Sequence, residues 1–298
     1  MAKRGDETLR AVLWMGGALL SFVLMAVSVR ELAHAMGIFE ILFLRSVVAL
    51  AILLVILPRF GARALRTERF GLHVVRNLLH FGGQYAWVYA IGLLPLATVF
   101  ALEFTMPVWT AVLAALLLGE RLNRGRVVML VLGFAGILII LRPGFERVPP
   151  AALVMLAGAF AYASTMIATK RIAGHDTAFA LLFYMSAIQL PLGMVLALPV
   201  WVTPELAEWP WVVAVGATGL TAHFCLARAL RIADATLVVP FDFLRLPLIA
   251  AVGVLFYGEP LESSIFIGAA VIFAGTYYSI RRESRAPPAP RGVSSWRS

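Results

Sequence analysis

Two carboxylates interrupt long apolar stretches of the sequence, Glu103 in the fourth of ten such stretches and Asp242 in the ninth. If these stretches cross a membrane, each charge costs roughly 3 kcal/mol or more and needs a partner or a wet cavity. Asp242 lies three residues before Arg245 and can pair with it on one helix face, either in a substrate site or as a purely structural ion pair. Glu103 has no basic residue three or four positions away, so it pairs with Arg45 or Arg245 on another helix or carries a proton. We predict a gating or proton-coupling role for Glu103 and Asp242, and substrate contact for Arg245.

The third apolar stretch carries polar and aromatic residues at helical spacing. They are His73, Asn77, His80, Gln84 and Trp87. The steps between them are four, three, four and three residues, which places all five on one face of a helix. Such a face lines water or substrate, or it makes hydrogen bonds between helices. We predict that His80 and Gln84 bind substrate.

Three aromatic residues lie near the middle of their stretches, Trp109, Tyr162 and Tyr184. Most aromatic residues of membrane proteins are packing residues or interface anchors. In mid-span these three are predicted instead to contact an apolar or aromatic substrate.

The chain repeats itself with a shift of about 139 residues. Phe134-Ala135-Gly136 recurs as Phe273-Ala274-Gly275, and Gly119-Glu120 recurs as Gly258-Glu259. Each copy holds five apolar stretches, and an odd number turns the second copy upside down in a bilayer.

The repeat also relates the candidate site residues. Glu103 falls on Asp242 and Gln84 on His223, which we add to the substrate-binding residues. Pro107 falls on Leu246 or Pro247. Because proline interrupts the hydrogen-bond ladder of a helix, broken helices at matching positions of the two halves indicate a binding site near the midplane.

Composition sets the class of protein. Apolar residues make up 61% of the 298 residues and charged residues 14%, and the mean hydropathy is +0.91; a soluble domain has about 25% charged residues. The apolar runs lack the alternation of barrel strands and are long enough for helices. They cover 11–29, 35–57, 71–91, 96–118, 126–142, 149–169, 178–200, 210–230, 236–257 and 262–280. The predicted fold is an all-α polytopic membrane protein, with ten transmembrane helices as two inverted five-helix repeats.

The predicted boundaries follow from these stretches. The repeats cover residues 11–142 and 149–280. Residues 1–10 form a cytoplasmic N-terminus, and the basic, proline-rich residues 281–298 form a disordered cytoplasmic tail.

Basic residues set the orientation. Of the 25 lysines and arginines, Arg45, Arg76 and Arg245 lie in the interior of spans, and the other 22 fall near span ends, in the connections or at the two chain termini. With the N-terminus inside, 19 of these 22 are cytoplasmic, and three are outside: Arg30, Arg142 and Arg147. This bias predicts a multi-pass protein of the cell (inner) membrane with both termini in the cytoplasm. The net charge of +9 is therefore a topology signal, and we expect no nucleic-acid partner.

The sequence indicates neither a cofactor nor an enzyme. The single cysteine, Cys225, excludes an internal disulfide and a cysteine-based metal cluster. The histidines are scattered, and no His-Glu-x-x-His or other recognised catalytic motif occurs. We expect no cofactor or metal. The expected partners are the lipid bilayer and a small-molecule substrate, and we expect the protein to be a monomer. An intramembrane enzyme and a channel-like facilitator are the alternatives.

The first copy carries Gly119-Glu120-Arg121-Leu122 with Gly133, the second carries Gly258-Glu259-Pro260-Leu261 with Gly268, and span 2 carries Phe43-Leu44-Arg45. Together these motifs resemble the drug/metabolite transporter superfamily, in its ten-helix branch of two EamA-type repeats. The resemblance implies export of small metabolites, such as amino acids and aromatic ones among them, by alternating access through a central cavity. We expect coupling to protons or facilitated transport. Glu120 and Glu259 precede helices, so we interpret both as structural residues at positive helix ends.

Overall fold

A computed structural model describes residues 2–120, 122–144, 147–172 and 175–285. Twelve α-helices account for most of these residues. They are α1 (Ala2–Leu32), α2 (Ile38–Phe60), α3 (Phe70–Leu93), α4 (Leu96–Glu103), α5 (Met106–Leu118), α6 (Arg124–Leu141), α7 (Pro150–Ile172), α8 (Ala178–Ala197), α9 (Trp209–Ile232), α10 (Ala235–Phe243), α11 (Arg245–Tyr257) and α12 (Ser263–Arg285).

Within the described ranges, nine helical stretches are long and apolar enough to cross a membrane, with α4 and α5 counted as one and α10 and α11 as another. Helix α3 is as long as the others, but it carries the polar stripe from His73 to Gln84. With α3 as the tenth span, the predicted class is confirmed: an all-α membrane protein of two inverted five-helix repeats. The residues of the tail from 286 to 298 and Arg121 of the repeated motif lie outside the described residues. Residues 281–285 were predicted to be disordered and instead continue α12.

The helix contacts show the symmetry between the repeats. Helix α1 packs along α9, and α3 packs along α7, which is the same contact with the two repeats exchanged. Helix α2 packs on its own mate α8, and α6 on its own mate α12. The pseudo-two-fold axis that relates the repeats therefore passes through the contact of α2 with α8 and the contact of α6 with α12. At the α6 and α12 contact, a β-carbon added to Gly136 would lie 2.6 Å from the Gly268 carbonyl oxygen, so only glycine permits this approach.

Matching breaks divide the fourth and ninth spans, as the prolines predict. Helix α4 ends at Glu103 and α5 begins at Met106, while α10 ends at Phe243 and α11 begins at Arg245. Pro107 and Pro247 have no N–H to donate to the carbonyl four residues earlier, so the ladder is open at both breaks. Phe104 and Phe243 stack there with ring centroids 4.1 Å apart. The two interruptions thus meet in the middle of the protein.

The repeated Gly-Glu pairs end helices α5 and α11 in the same way. Gly119 and Gly258 adopt left-handed conformations with φ of 65° and 62°. The Glu120 N–H donates to the Ala114 carbonyl and the Glu259 N–H to the Gly253 carbonyl, beside the left-handed glycine that ends each helix. Both donors and both acceptors are 139 residues apart, so the motif is a structural signature of the repeat.

The helix bundle has two ends, which differ in the residues they carry. The terminal face is the end at which α1 begins and α12 ends, near Arg69, Glu120 and Asp234. The opposite face lies near Arg30 and Glu259. This assignment follows from the order of the spans.

Candidate substrate site

A three-residue ion pair joins the two repeats at the level of the helix breaks. Arg245 donates from Nη1 to Glu103 Oε1 at 3.3 Å and from Nη2 to Asp242 Oδ2 at 3.0 Å. Trp87 Nε1 donates to the second oxygen of Glu103 at 2.9 Å. Glu103 therefore has partners on two other helices. The sequence left Arg45, Arg245 and a proton open for it, and the structure selects Arg245.

Aromatic rings enclose the guanidinium of Arg245. Its Cζ lies 4.4 Å from the ring centre of Phe22, 5.0 Å from Phe104 and 5.6 Å from Phe100. These contacts add cation–π attraction to the ion pairs and keep water away from the charge. One oxygen of the set, Oδ1 of Asp242, is buried without a hydrogen-bond partner in the described structure. It is the acceptor that a ligand donor would satisfy.

A second polar cluster lies on α3, α7, α8 and α9. Gln189 Nε2 donates to His80 Nδ1 at 3.0 Å and to the Asn77 carbonyl at 3.3 Å. The His80 ring contacts Tyr162 at 5.5 Å and His223 at 6.4 Å between centroids. His223 Nδ1 donates to the Gly219 carbonyl at 2.7 Å, so Nε2 carries no proton in the neutral ring and can accept one. His80, Tyr162 and His223, predicted as separate substrate contacts, form one group of rings.

Phe22 links the two polar clusters. Its ring lies 5.9 Å from the His223 ring, and the Arg245 guanidinium sits on it. The sequence does not indicate this role for a phenylalanine in the first span. Gln189 was also missed, although it is a polar residue inside an apolar span and the criterion applied to Gln84 would have found it.

Two further arginines lie near the ring cluster, and both act electrostatically on His80 and His223. Arg76 donates to Thr169 Oγ1 at 2.8 Å and to Asn77 Oδ1 at 2.7 Å, both of them neutral acceptors. Arg45 is 8% exposed and has no hydrogen bond or ion pair with any residue that the structure describes.

Three predicted contacts lie apart from these clusters or have no polar partner. Trp109 of α5 packs edge-on against Phe134 and Phe160, away from the breaks. Tyr184 lies toward the terminal face, where its hydroxyl donates to the Leu65 carbonyl at 2.8 Å. Gln84 is buried on α3 one turn from His80, and it makes no hydrogen bond within the described chain.

His73, at the start of the α3 stripe, has a structural partner at the terminal face. Its Nε2 lies 2.6 Å from Asp176 Oδ2. Burial alone would raise the pKa of Asp176, but hydrogen bonds from Thr67 and His73 outweigh it and the pKa is lowered. The pair ties α3 to the connection between α7 and α8.

The two faces differ in how their repeated glutamates bind. At the opposite face, Glu259 accepts from Arg30 at 2.8 Å and from the Leu96 N–H at 2.7 Å, and Arg30 also donates to the Leu94 carbonyl. Glu259 thus stabilises the positive end of α4, rather than of the helix that follows it as the sequence suggested. We call this set, Arg30, Leu94, Leu96 and Glu259, the opposite-face latch.

At the terminal face, the mate Glu120 pairs with Lys170 and with Arg126 at 2.8 Å, and it has no partner on α10 among the described residues. The hydrogen bond from Lys170, followed by that from Arg126, lowers the pKa of Glu120. Helix α4 is buried from Leu96 almost throughout, whereas Val238 is the buried side chain among those described in α10. The opposite face is therefore the more closed of the two.

Comparison with known proteins agrees with this architecture. The EamA-like transporter family matches residues 9–142 and again residues 149–281. The chain belongs to this family. One solved structure, 20% identical, superposes with a TM-score of 0.64 over 93% of this chain and 99% of its own, which shows a shared fold.

Three relatives of EamA type carry names that state a substrate. The S-adenosylmethionine uptake transporter of Rickettsia prowazekii is 28% identical over 93% of this chain and 95% of its own. The riboflavin transporter of Vibrio cholerae is 29% identical over 96% of this chain and 98% of its own. The pseudopaline exporter of Pseudomonas aeruginosa is 26% identical over 86% of this chain and 90% of its own. The chain is thus a multi-pass membrane transporter of the EamA family, and these names do not single out amino-acid export.

Proposed function

We propose that this EamA-family transporter is a secondary carrier of a small organic metabolite, which it moves by alternating access between the two repeats. The observation that carries the proposal is the unequal state of the two faces. An inverted repeat offers two equivalent closures, one at each face. In this structure Glu259 binds the start of α4 at the opposite face, whereas its mate Glu120 does not bind the start of α10 among the described residues. A carrier needs such a pair of states, whereas a fixed pore does not.

The exchange between the states follows from the latch. Under the repeat, Leu96 corresponds to Asp234 at the start of α10. In the alternate state Glu120 accepts the first amide N–H groups of α10, as Glu259 now accepts that of Leu96. Glu259 then releases α4, and the broken helices tilt about Phe104 and Phe243. Arg245 with Glu103 and Asp242 lies at this pivot and stays between the repeats.

The substrate is proposed to lie between the ion pair at the breaks and the ring cluster of His80, Tyr162 and His223. Amino acids, aromatic ones included, remain our proposed substrates, together with the larger metabolites named for the relatives. The proposed substrate-binding set in this region is His80, Gln84, Tyr162, His223 and Arg245, with Glu103 and Asp242 for gating or proton coupling. Trp109 and Tyr184, predicted from the sequence as substrate contacts, lie apart from this region.

We further propose an inner-membrane location with both termini in the cytoplasm, so the terminal face is cytoplasmic and the closed opposite face is external. The support is the distribution of basic residues, with 19 on the terminal side. In this orientation the less closed face would be the cytoplasmic one.

Proteoliposomes test the function. Purified protein is reconstituted, and uptake of S-adenosylmethionine, riboflavin and L-tryptophan is measured against concentration. A carrier gives saturating uptake, and internal unlabelled substrate accelerates it by exchange. Linear uptake without exchange would indicate a channel-like facilitator, and chemical change of the substrate would indicate an enzyme.

A further inference from the structure

Arg45 is a buried cation with no counter-ion in the described part of the chain. It lies on α2, a third of the way along a span, and is 8% exposed. Arg245, equally buried, is held by two carboxylates, and Arg30 by one. An unpaired buried charge costs several kcal/mol, because desolvation is not offset by Coulomb attraction. The described residues of the protein therefore do not offset the desolvation free energy of the Arg45 charge.

A small cleft, about large enough for one water molecule, borders this side chain. Arg45 lines it with Ser46, Ser186, Gln189 and Gly219, contributed by α2, α8 and α9. The Nε–Nη2 edge of the guanidinium faces Gly219, where an added β-carbon would be 3.0 Å from both nitrogens. Glycine at 219 thus lets the guanidinium approach α9 this closely. The hydroxyls of Ser46 and Ser186 donate to carbonyls of their own helices, so each presents an acceptor and no proton toward the cleft.

We propose that Arg45 binds a carboxylate of the transported substrate, an inference that rests on the proposed function and names its substrate class. The planar guanidinium presents paired N–H groups that match the two oxygens of a carboxylate. Glu103 and Asp242 do not serve as its counter-ions, because both are held by Arg245.

The remainder of such a substrate has a place beside the cleft. Gln189 lines the cleft and also donates to His80, whose ring contacts Tyr162 and His223. Gly219 contacts the Arg45 guanidinium and its carbonyl accepts from His223 Nδ1, so the ring cluster is adjacent to Arg45. A carboxylate at Arg45 would therefore carry its attached ring or chain toward His80 and His223.

Matched pairs of probes test this assignment. The pairs are S-adenosylmethionine with its decarboxylated form and L-tryptophan with tryptamine, and riboflavin is a probe without a carboxylate. Wild-type protein should take up the acids at least about tenfold better than the decarboxylated partners, as expected for a bidentate charge-assisted contact. In Arg45→Gln this preference should fall to about twofold or less, and Arg45→Lys should lie between. Arg228→Gln, an exposed arginine on α9, is the control and should keep the wild-type preference.

A second readout does not depend on transport. The melting temperature of purified protein is measured with benzoate, benzamide and sodium chloride. Benzoate should stabilise wild type and not Arg45→Gln, while benzamide stabilises neither, and ligand-free Arg45→Gln should melt no lower than wild type. Equal effects of chloride and benzoate would indicate a general anion site and overturn the carboxylate assignment. The assignment would also be overturned if ligand-free Arg45→Gln lost much stability while Arg45→Lys kept the wild-type preference for the acids.

The failure of this inference can be distinguished from failure of the proposed function. If riboflavin shows saturating exchange while no acid is carried and benzoate does not stabilise the protein, the carrier stands and the carboxylate subsite is wrong. If no probe shows saturating exchange but benzoate stabilises wild type and not Arg45→Gln, the subsite stands and the carrier proposal fails for these substrates.

Discussion

Glu103 of the first repeat and Arg245 of the second are joined across the helix breaks, with Oε1 and Nη1 3.3 Å apart. Asp242, the repeat mate of Glu103, holds the same guanidinium at 3.0 Å. Equivalent carboxylates of two inverted repeats thus share one arginine. Symmetry is broken at this point, because Arg245 has no basic counterpart three residues after Glu103, where Met106 stands.

This sharing predicts unequal costs of substitution. Arg245→Gln leaves two partly buried carboxylates without a cation and should cost about 3–5 kcal/mol. Glu103→Gln keeps the Asp242 contact and should cost about 1.5–3 kcal/mol, the range for a hydrogen bond to a charged group. Melting temperatures in detergent check the order. If Glu103→Gln destabilises as much as Arg245→Gln, the two carboxylates do not share the charge.

Proton coupling through Glu103 remains a prediction. Glu103→Gln mimics the protonated form, so transport by this variant should lose its dependence on pH. Uptake measured between pH 5.5 and 8 in the liposome assay provides the test. A variant with full activity and the wild-type pH profile would leave Glu103 a structural residue.

The opposite-face latch predicts a shift between the two states. Glu259→Gln weakens the contacts with Arg30 and Leu96, so the opposite face should open more often, by about tenfold or more for a loss of about 1.5–3 kcal/mol. Cysteine at Leu96, in a Cys225→Ala background, should then react faster with a membrane-impermeant thiol reagent. The matched control is Glu120→Gln, which alters the mate at the other face and should not accelerate this labelling. Equal rates in both variants would contradict the latch.

The His73 and Asp176 pair predicts a pH-dependent contribution to stability. Because the pKa of Asp176 in the folded protein lies below its ordinary value of 3.8, the stabilisation is present above that value and is lost as the pH falls through the folded pKa. Asp176→Asn should therefore be less stable than wild type at pH 7, by about 1.5–3 kcal/mol, with the difference shrinking below pH 3.8. Asp234→Asn, at an exposed carboxylate whose side chain makes no cap bond, should change stability by less than about 0.5 kcal/mol at both pH values.

The close approach of α6 and α12 predicts intolerance at one glycine and tolerance at another. In Gly136→Ala the new methyl group would lie 2.5 Å from Ile272 and 2.6 Å from the Gly268 carbonyl, so we expect a loss of about 1–3 kcal/mol from overpacking. Gly16 in α1 has open space around it, and Gly16→Ala should be neutral or stabilising by up to about 1 kcal/mol. Thermal unfolding of the two variants checks the difference.

The orientation is tested by a reporter fused after residue 298. A reporter active only outside the cytoplasm should give no signal, because basic residues are concentrated on the terminal side. A strong signal would reverse the topology and exchange the external and cytoplasmic faces in the transport scheme.

The sequence by itself determined the features that depend on local chemistry. Hydropathy indicated the spans, the 139-residue shift indicated two inverted copies, and Pro107 and Pro247 indicated the breaks. The pairing of Asp242 with Arg245 could also be predicted from the sequence, because residues three apart share a helix face. Each of these follows from the covalent order of the residues and the fixed pitch of the helix.

Contacts between helices were decided only by the tertiary structure. The choice of Arg245 over Arg45 as the partner of Glu103, the reach of Glu259 to Leu96, and the position of Tyr184 beside Leu65 all depend on how helices are rotated and shifted against one another. Periodicity shows which residues share a face but not which neighbour that face meets. For the same reason the isolation of Arg45 was invisible in the sequence, since a missing partner is a property of every helix packed around it.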